Sequence, residues 1–164
     1  MSRLPILTQI NYLYRAAFRS LTVGVRALLI DEQKRVLLVR HTYCAGWHLP
    51  GGGVEVGETL ECALRRELKE EAGVELTGPP ALHGLYLNIS ASPRDHVALY
   101  VVREFLVPQP KKPDLEIAEV RVFPHDALPI DASSPTRDRI AELLQGRNPS
   151  LTWQGAGAGS PRVD

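Results

Sequence analysis

The sequence predicts a single α/β domain of the α+β kind, on three observations. Hydrophobic residues make up 44% of the 164, β-rich runs recur along most of the chain, and one uninterrupted helical pattern stands among them. A chain of this length buries an ordinary core, and nothing in it asks for a second one. Lysine plus arginine and aspartate plus glutamate balance at 19 each, so no global field marks a membrane or nucleic-acid surface, and no stable nucleic-acid partner is expected. Gln9, Asn11 and Arg15 interrupt the N-terminal stretch, and no segment reaches the roughly 20 apolar residues of a membrane span. The expected location is cytoplasmic. Cys44 and Cys62 stand in no C-x-x-C or Cys/His cluster, which argues against structural zinc and a disulfide framework.

Leu4, Leu7, Ile10, Tyr14 and Phe18 recur at spacings near three and four, so residues 1–19 are expected to form a helical extension laid on the domain or on a partner subunit; a homodimer is compatible with this. The domain itself is expected over residues 20–146. "LTVGVRALLI" and "RVLLVR" flank the polar turn "DEQK" and read as a β-hairpin. After the loop "HTYCAGWHLPGGG" and a helix come "ALHGLYLN", "HVALYVVREFLV" and "EVRVFP", three further strands, the middle one apolar enough to be covered on both faces. "SSPTRDRIAELLQ" reads as a second helix with Ser134 as N-cap and Pro135 at its first position. Residues 147–164 are expected to be a flexible tail, most clearly so from Gln154 onward.

The helix between these strands carries the chemistry. Thr59 can cap it and Gly73 can end it in a left-handed conformation, leaving Leu60 to Ala72 as its body. At about 100° per residue, Leu60, Ala63, Leu64 and Leu68 form one side, and Arg65 and Lys69 lie opposite. Glu67 falls along the apolar stripe, flanked by Glu70 and Glu71, so the three acids face away from the solvated side. Carboxylates crowded within one turn repel each other unless a cation neutralises them. Oxygen ligands without histidine or cysteine select Mg²⁺, Mn²⁺ or Ca²⁺ over zinc. Gly51, Gly52 and Gly53 just upstream supply backbone able to approach metal or phosphate.

These residues resemble the Nudix box, G-x5-E-x7-R-E-U-x-E-E-x-G-U with U a bulky aliphatic residue. Gly52, Glu58, Arg66, Glu67, Leu68, Glu70, Glu71, Gly73 and Val74 occupy all its fixed positions, and the likeness extends over roughly residues 20 to 145. The resemblance implies an α/β/α sandwich with a mixed β-sheet, and hydrolysis of a nucleoside diphosphate linked to another moiety, with Mg²⁺ or alternatively Mn²⁺ as cofactor. It implies that Glu67, Glu70 and Glu71 hold the metal with the Gly51 carbonyl, and that Arg66 and Glu58 are structural. Glu116 and Glu119 are candidates for a general base or extra ligand outside the box, with Glu119 taken as catalytic. Metals at such a site neutralise the diphosphate and activate water.

Trp47 and His48, with Tyr43 and Tyr86, are aromatic candidates for stacking on a base or ribose; Trp47, His48, Gly52 and Gly53 form the expected substrate-binding set. The family's markers for ADP-ribose and for dinucleoside polyphosphates are missing from "NISAS", Asn88 to Ser92. The substrate therefore stays open between a nucleotide sugar or ADP-ribose type, a nucleoside triphosphate awaiting housecleaning, and a nucleotide bound as a regulatory ligand by a silent domain.

Overall fold

In a computed structural model, residues 20–154 are described. The expected N-terminal helix lies outside them. Seven strands and two helices follow in the order β1 (Thr22–Leu29), β2 (Arg35–His41), α1 (Leu60–Ala72), β3 (Glu75–Leu76), β4 (Ala81–Leu87), β5 (Asp95–Val102), β6 (Phe105–Leu106), β7 (Ile117–Pro124) and α2 (Ser134–Leu144). β1, β5 and β4 form a mixed sheet in that order, with β1 parallel and β4 antiparallel to β5. β2 pairs antiparallel with β7, and the two-residue strands β3 and β6 pair with each other.

Alternation along the strands builds the layers. Val25, Ala27 and Leu29 of β1, Leu37 and Val39 of β2, and Ala98, Tyr100 and Val102 of β5 meet Ala63, Leu64, Leu68 and Ala72 of α1 in one core. The residues between them, Leu28, Val36, Leu38, Leu99 and Val101, face a second core with Trp47, Leu49, Tyr86 and Ile140 of α2. A period of two with both faces apolar requires a helix on each side, and that is the sandwich observed. The buried run of β5 bears out the reading of its strand as doubly covered.

The hairpin does not form. The turn closes, with Asp31 N–H donating to Arg35 O at 3.1 Å and Lys34 in the left-handed region at φ 58°, but only Ile30 and Val36 bridge across it. The two strands then part, β1 to β5 and β2 to β7. What fills the space between them is the glycine loop: Val25 N–H donates to Gly52 O at 2.8 Å, Ala27 N–H to Pro50 O at 2.9 Å, and Val39 and His48 exchange bonds of 2.9 and 2.8 Å. The loop is thus held between β1 and β2 like a short extra strand, which fixes its backbone.

At the C-terminal end the cap of α2 is Ser133, one residue before the expected Ser134, and its side chain accepts from Thr136 N–H. Residues 147–154, expected to begin the flexible tail, include a stretch that runs alongside β4. There Leu87 N–H donates to Leu151 O at 3.0 Å and Trp153 N–H donates to Leu87 O at 2.9 Å. Among the described residues no helix is long and apolar enough to cross a membrane.

Candidate functional site

Helix α1 forms where its ends dictate. Thr59 accepts a hydrogen bond from Cys62 N–H at 3.2 Å, and Gly73, at φ 66°, donates to the last carbonyls of the helix. Its three acids are not equivalent. The Glu71 side chain is 6% exposed, Glu67 14% and Glu70 62%. Glu71, three residues after Leu68 and seven after Leu64, takes the centre of the apolar stripe, whereas Glu70 turns out to solvent. The expectation that all three face away from water is corrected at Glu70.

Arg66 holds the other acids. Its Nε and Nη2 each donate to one oxygen of Glu58 at 3.0 Å, Nη1 donates to Glu67 Oε1 at 2.7 Å and to Glu70 Oε2 at 3.4 Å, and Nη2 also reaches Gly53 O at 3.0 Å. The fork fixes helix and loop together. It keeps the Glu58 carboxyl below the ordinary range, and Glu58 followed by Glu67 raises the guanidinium in turn. Gly52 answers to Glu67: a Cβ there would lie 2.5 Å from the Glu67 carboxylate, so only glycine lets that side chain lie flat on the loop. At Gly51, φ is 135°, which again favours glycine.

Glu71 stands apart from this network. Its Oε2 accepts from Gly51 N–H at 2.7 Å, and the Gly51 carbonyl is itself taken by Arg26 Nη1. Among the described residues no lysine or arginine comes within ion-pair distance of Glu71. Its neighbours are His41 and Glu116, and one ligand atom from each of the three lies within 4.8 Å of the others. Burial pushes the Glu71 carboxyl up to about 7, against the Gly51 bond and Arg26, with Glu67 and Glu116 adding to the rise. His41 is pushed down to about 4 by burial, then by Arg26 and His48. The imidazole is therefore neutral at pH 7, and its Nε2, 3.8 Å from Glu71 Oε1, makes no ion pair there.

The chain presents Glu116 by a local device. Asp114 Oδ1 accepts from Glu116 N–H at 2.9 Å and Ile117 N–H at 2.7 Å, the turn for which aspartate is suited. Thr42 N–H then donates to Glu116 O at 2.9 Å, beside His41. Glu119 goes elsewhere: it bonds Arg40 Nη2 at 2.8 Å and is also held by Arg121. Of the two acids expected outside the box, the structure brings Glu116 to Glu71 and leaves Glu119 in a surface ion pair.

The aromatic candidates divide likewise. Trp47 is buried in the second core, edge-on to Phe123 with ring centroids 4.8 Å apart, under the guanidinium groups of Arg40 and Arg121. Tyr86 is buried with its hydroxyl donating to Glu142. Both are core residues, and the expectation that Trp47 stacks on substrate is corrected. His48 stays at the site, lining a cavity of about 570 Å³ together with Arg26, Leu49, Asn88, Trp153 and Gln154. A second cavity of about 610 Å³ lies over Gly52 and Gly53 and shares Arg26 and Asn88 with the first. Exposed Tyr43 lies with its ring 4.9 Å from His41.

Sequence reasoning missed His41, Arg26 and the segment carrying Trp153 and Gln154. A histidine closing an apolar strand run, "VLLVRH", was the one signal that could have marked the first.

Several known proteins are similar to this chain. The ADP-ribose pyrophosphatase of Methanocaldococcus jannaschii is 38% identical over 72 residues, covering 42% of this chain and 42% of that protein. The human 8-oxo-dGDP phosphatase NUDT18 is 49% identical over 53 residues, 30% of this chain and 16% of that protein. These matches span less than half of the relatives' own length. Among solved structures, a MutT Nudix hydrolase from Burkholderia pseudomallei superposes with a TM-score of 0.65 at 24% identity, covering 76% of this chain and 98% of that one. An ADP-ribose pyrophosphatase from Streptococcus suis gives 0.54 at 26% identity, covering 67% and 78%. The family model described as the NUDIX domain matches residues 20–144, and the chain belongs to the Nudix hydrolase family.

Proposed function

We propose that the protein is a divalent-metal-dependent pyrophosphohydrolase that cleaves the diphosphate bond of a nucleoside diphosphate linked to another moiety, of the nucleotide-sugar or ADP-ribose type. One observation carries this reading: Glu71 is buried beside Glu116, with no lysine or arginine within ion-pair distance among the described residues, and is tied to the glycine loop by the Gly51 N–H. A carboxyl held near neutrality by burial gains most from a cation. The donor set fits Mg²⁺ or Mn²⁺, with Glu67 and Glu71 supplying oxygens and Glu70 one from the solvent side, while the Gly51 carbonyl expected as a further ligand is taken by Arg26. When bound, such a metal neutralises the diphosphate and lowers the pKa of the attacking water.

The remaining work falls to the chain. Arg66 holds Glu67 and Glu70 in register with Gly53, so the oxygens are positioned before substrate arrives. Glu116, kept outside the Arg66 network by the Asp114 turn, is placed to take the proton of the attacking water. Arg26, with Nη1 on the carbonyls of Leu49 and Gly51, stands where both cavities meet, able to orient a phosphate oxygen. The name of the M. jannaschii relative supports the ADP-ribose type. The match to the 8-oxo-dGDP phosphatase supports a second reading, removal of damaged nucleotides.

The deciding experiment is hydrolysis of ADP-ribose, nucleotide sugars, nucleoside triphosphates and oxidised deoxynucleotides with and without Mg²⁺ or Mn²⁺, with products identified by mass. Release of two monophosphates from ADP-ribose or a nucleotide sugar is expected. Turnover confined to triphosphates or oxidised nucleotides would move the protein to the second reading, and turnover unaffected by chelator would remove the metal.

A further inference from the structure

The two faces of β4 are covered unequally. On one, Tyr86 is 1% exposed: the Arg139 guanidinium lies 4.2 Å from its ring centroid, and Trp153 packs edge-on to it at 5.8 Å. Arg139, fully buried, also donates from Nη1 to Thr152 O at 3.1 Å and from Nη2 to Glu142 Oε1 at 2.6 Å, a clasp that holds residues 150–154 against the strand. On the other face, the one that α1 covers over β1 and β5, Leu82 and Leu85 are 58% and 59% exposed.

The register places both leucines there. Three residues apart on a regular strand they would point opposite ways, but the irregularity between Leu82 and Gly84 brings them to one face. Leu82 pairs with Tyr100 and Leu85 with Ala98, and these pair in turn with Ala27 and Val25 of β1. Paired residues share a face, so the leucines extend the apolar rows beneath α1. Tyr100 is 9% exposed and Ala98 0%, yet no residue of β4 belongs to that core. The helix stops one strand short, and leucines adjoining a core on a sheet face are a contiguous apolar surface of the kind that marks a contact.

We propose that this uncovered strip is the docking site of the chain's own residues 4–18, laid over β4 beside α1 as an amphipathic helix. The segment lies outside the described residues and carries the stripe Leu4, Leu7, Ile10, Tyr14 and Phe18. The other segment outside them, 155–164, offers one large apolar residue, Val163. Reach agrees with the assignment. As a helix, residues 4–18 span about 22 Å, against about 17 Å of strand between Leu82 and Leu87. β1 begins at Thr22, and β4 lies two strands away across β5, about 10 Å, which residues 19–21 can bridge when extended. Thr22 pairs with Asp95, one row from the pair of His96 and Leu87, so Phe18 falls near Leu87 and Leu4 toward Leu82.

Hydrogen exchange on the full chain, read segment by segment with sedimentation at the same concentration, tests this. Amides of residues 7–18 are expected to exchange about tenfold or more slower than in an unstructured peptide of that sequence, in a monomer. Leu85→Ser should speed that exchange, and Leu82→Glu with Leu85→Glu should restore the peptide rate while β5 stays protected. Ile130→Glu, at a 98% exposed apolar site elsewhere, should leave it unchanged. Ile10→Asp, made in the segment itself and therefore harmless to the folded domain, should speed exchange both in the segment and in β4. Fast exchange in the wild type, protection that survives the β4 substitutions, an Ile10→Asp variant that leaves β4 unchanged, or protection that appears only on dimerisation overturns the proposal. The last outcome would give the face to a second copy of the chain.

Discussion

Glu71 and Glu142 are buried to nearly the same degree, at 5% and 7% exposure, yet their surroundings are opposite. Glu142 receives the Arg139 guanidinium, the Tyr86 hydroxyl and the Ser150 N–H. Glu71 receives the Gly51 N–H and is otherwise faced by a neutral histidine and another carboxylate. A buried charge with all its partners in the chain holds structure together; a buried charge lacking them is kept for something that arrives. The two regions lie on opposite faces of the same sheet, so folding stability and readiness for a cation are separable by mutation.

Glu71→Gln gives the largest expected effect. It removes the charge a metal would meet while keeping size and the Gly51 hydrogen bond, so turnover should fall by about 10²–10³-fold or more. The melting temperature without metal at pH 8 should hold or rise, because an uncompensated buried carboxylate disappears. Turnover within twofold of wild type would take Glu71 out of the site.

Arg139→Met makes the converse test. It leaves Glu142 buried with its cation gone, which costs about 3–5 kcal/mol and lowers the melting temperature on the order of 10 °C. The double change Arg139→Met with Glu142→Leu should recover much of that loss, since an apolar pair can replace a buried ion pair. A single variant as stable as wild type would show that the clasp carries no stability.

How far the sequence foretold these regions depends on how local the cause is. Helix α1, its Thr59 cap and its Gly73 end were all legible, because each is fixed within a turn of the chain. The Arg66 fork was legible as a role, since Glu58 and Arg66 share one helix-loop unit. The hairpin was not: its turn is real, but the long-range pull of β5 and β7 and the insertion of the glycine loop decide the partners. The choice of Glu116 over Glu119 was also hidden. A bulge lies between Arg40 and His41, so Arg40 pairs with Glu119 while His41 pairs with Ile117, an irregularity that alternation cannot foresee. Gln154 looked like the start of a polar tail, and only the buried Arg139, at a distance, gives it a place.

The smallest effect expected is the most discriminating, because its sign differs between neighbours. Glu71, raised from 4.5 to about 7, keeps in the folded state a proton that the unfolded chain has released, so its contribution favours folding at low pH and is lost as pH rises through about 7. His41, lowered from 6.5 to about 4, is free in the folded state of a proton that the unfolded chain still holds; its contribution is present above 6.5 and lost as pH falls through about 4. Each amounts to at most about 3 kcal/mol. Between pH 4.5 and 6.5 the two slopes oppose, and they flatten the metal-free wild type. Urea unfolding in chelator should show His41→Gln losing stability as pH rises across that window and Glu71→Gln gaining it. Parallel curves would mean that the two groups do not share one desolvated site. Added Mg²⁺ should stabilise the wild type more at pH 8 than at pH 6, since binding must displace the Glu71 proton at the lower pH.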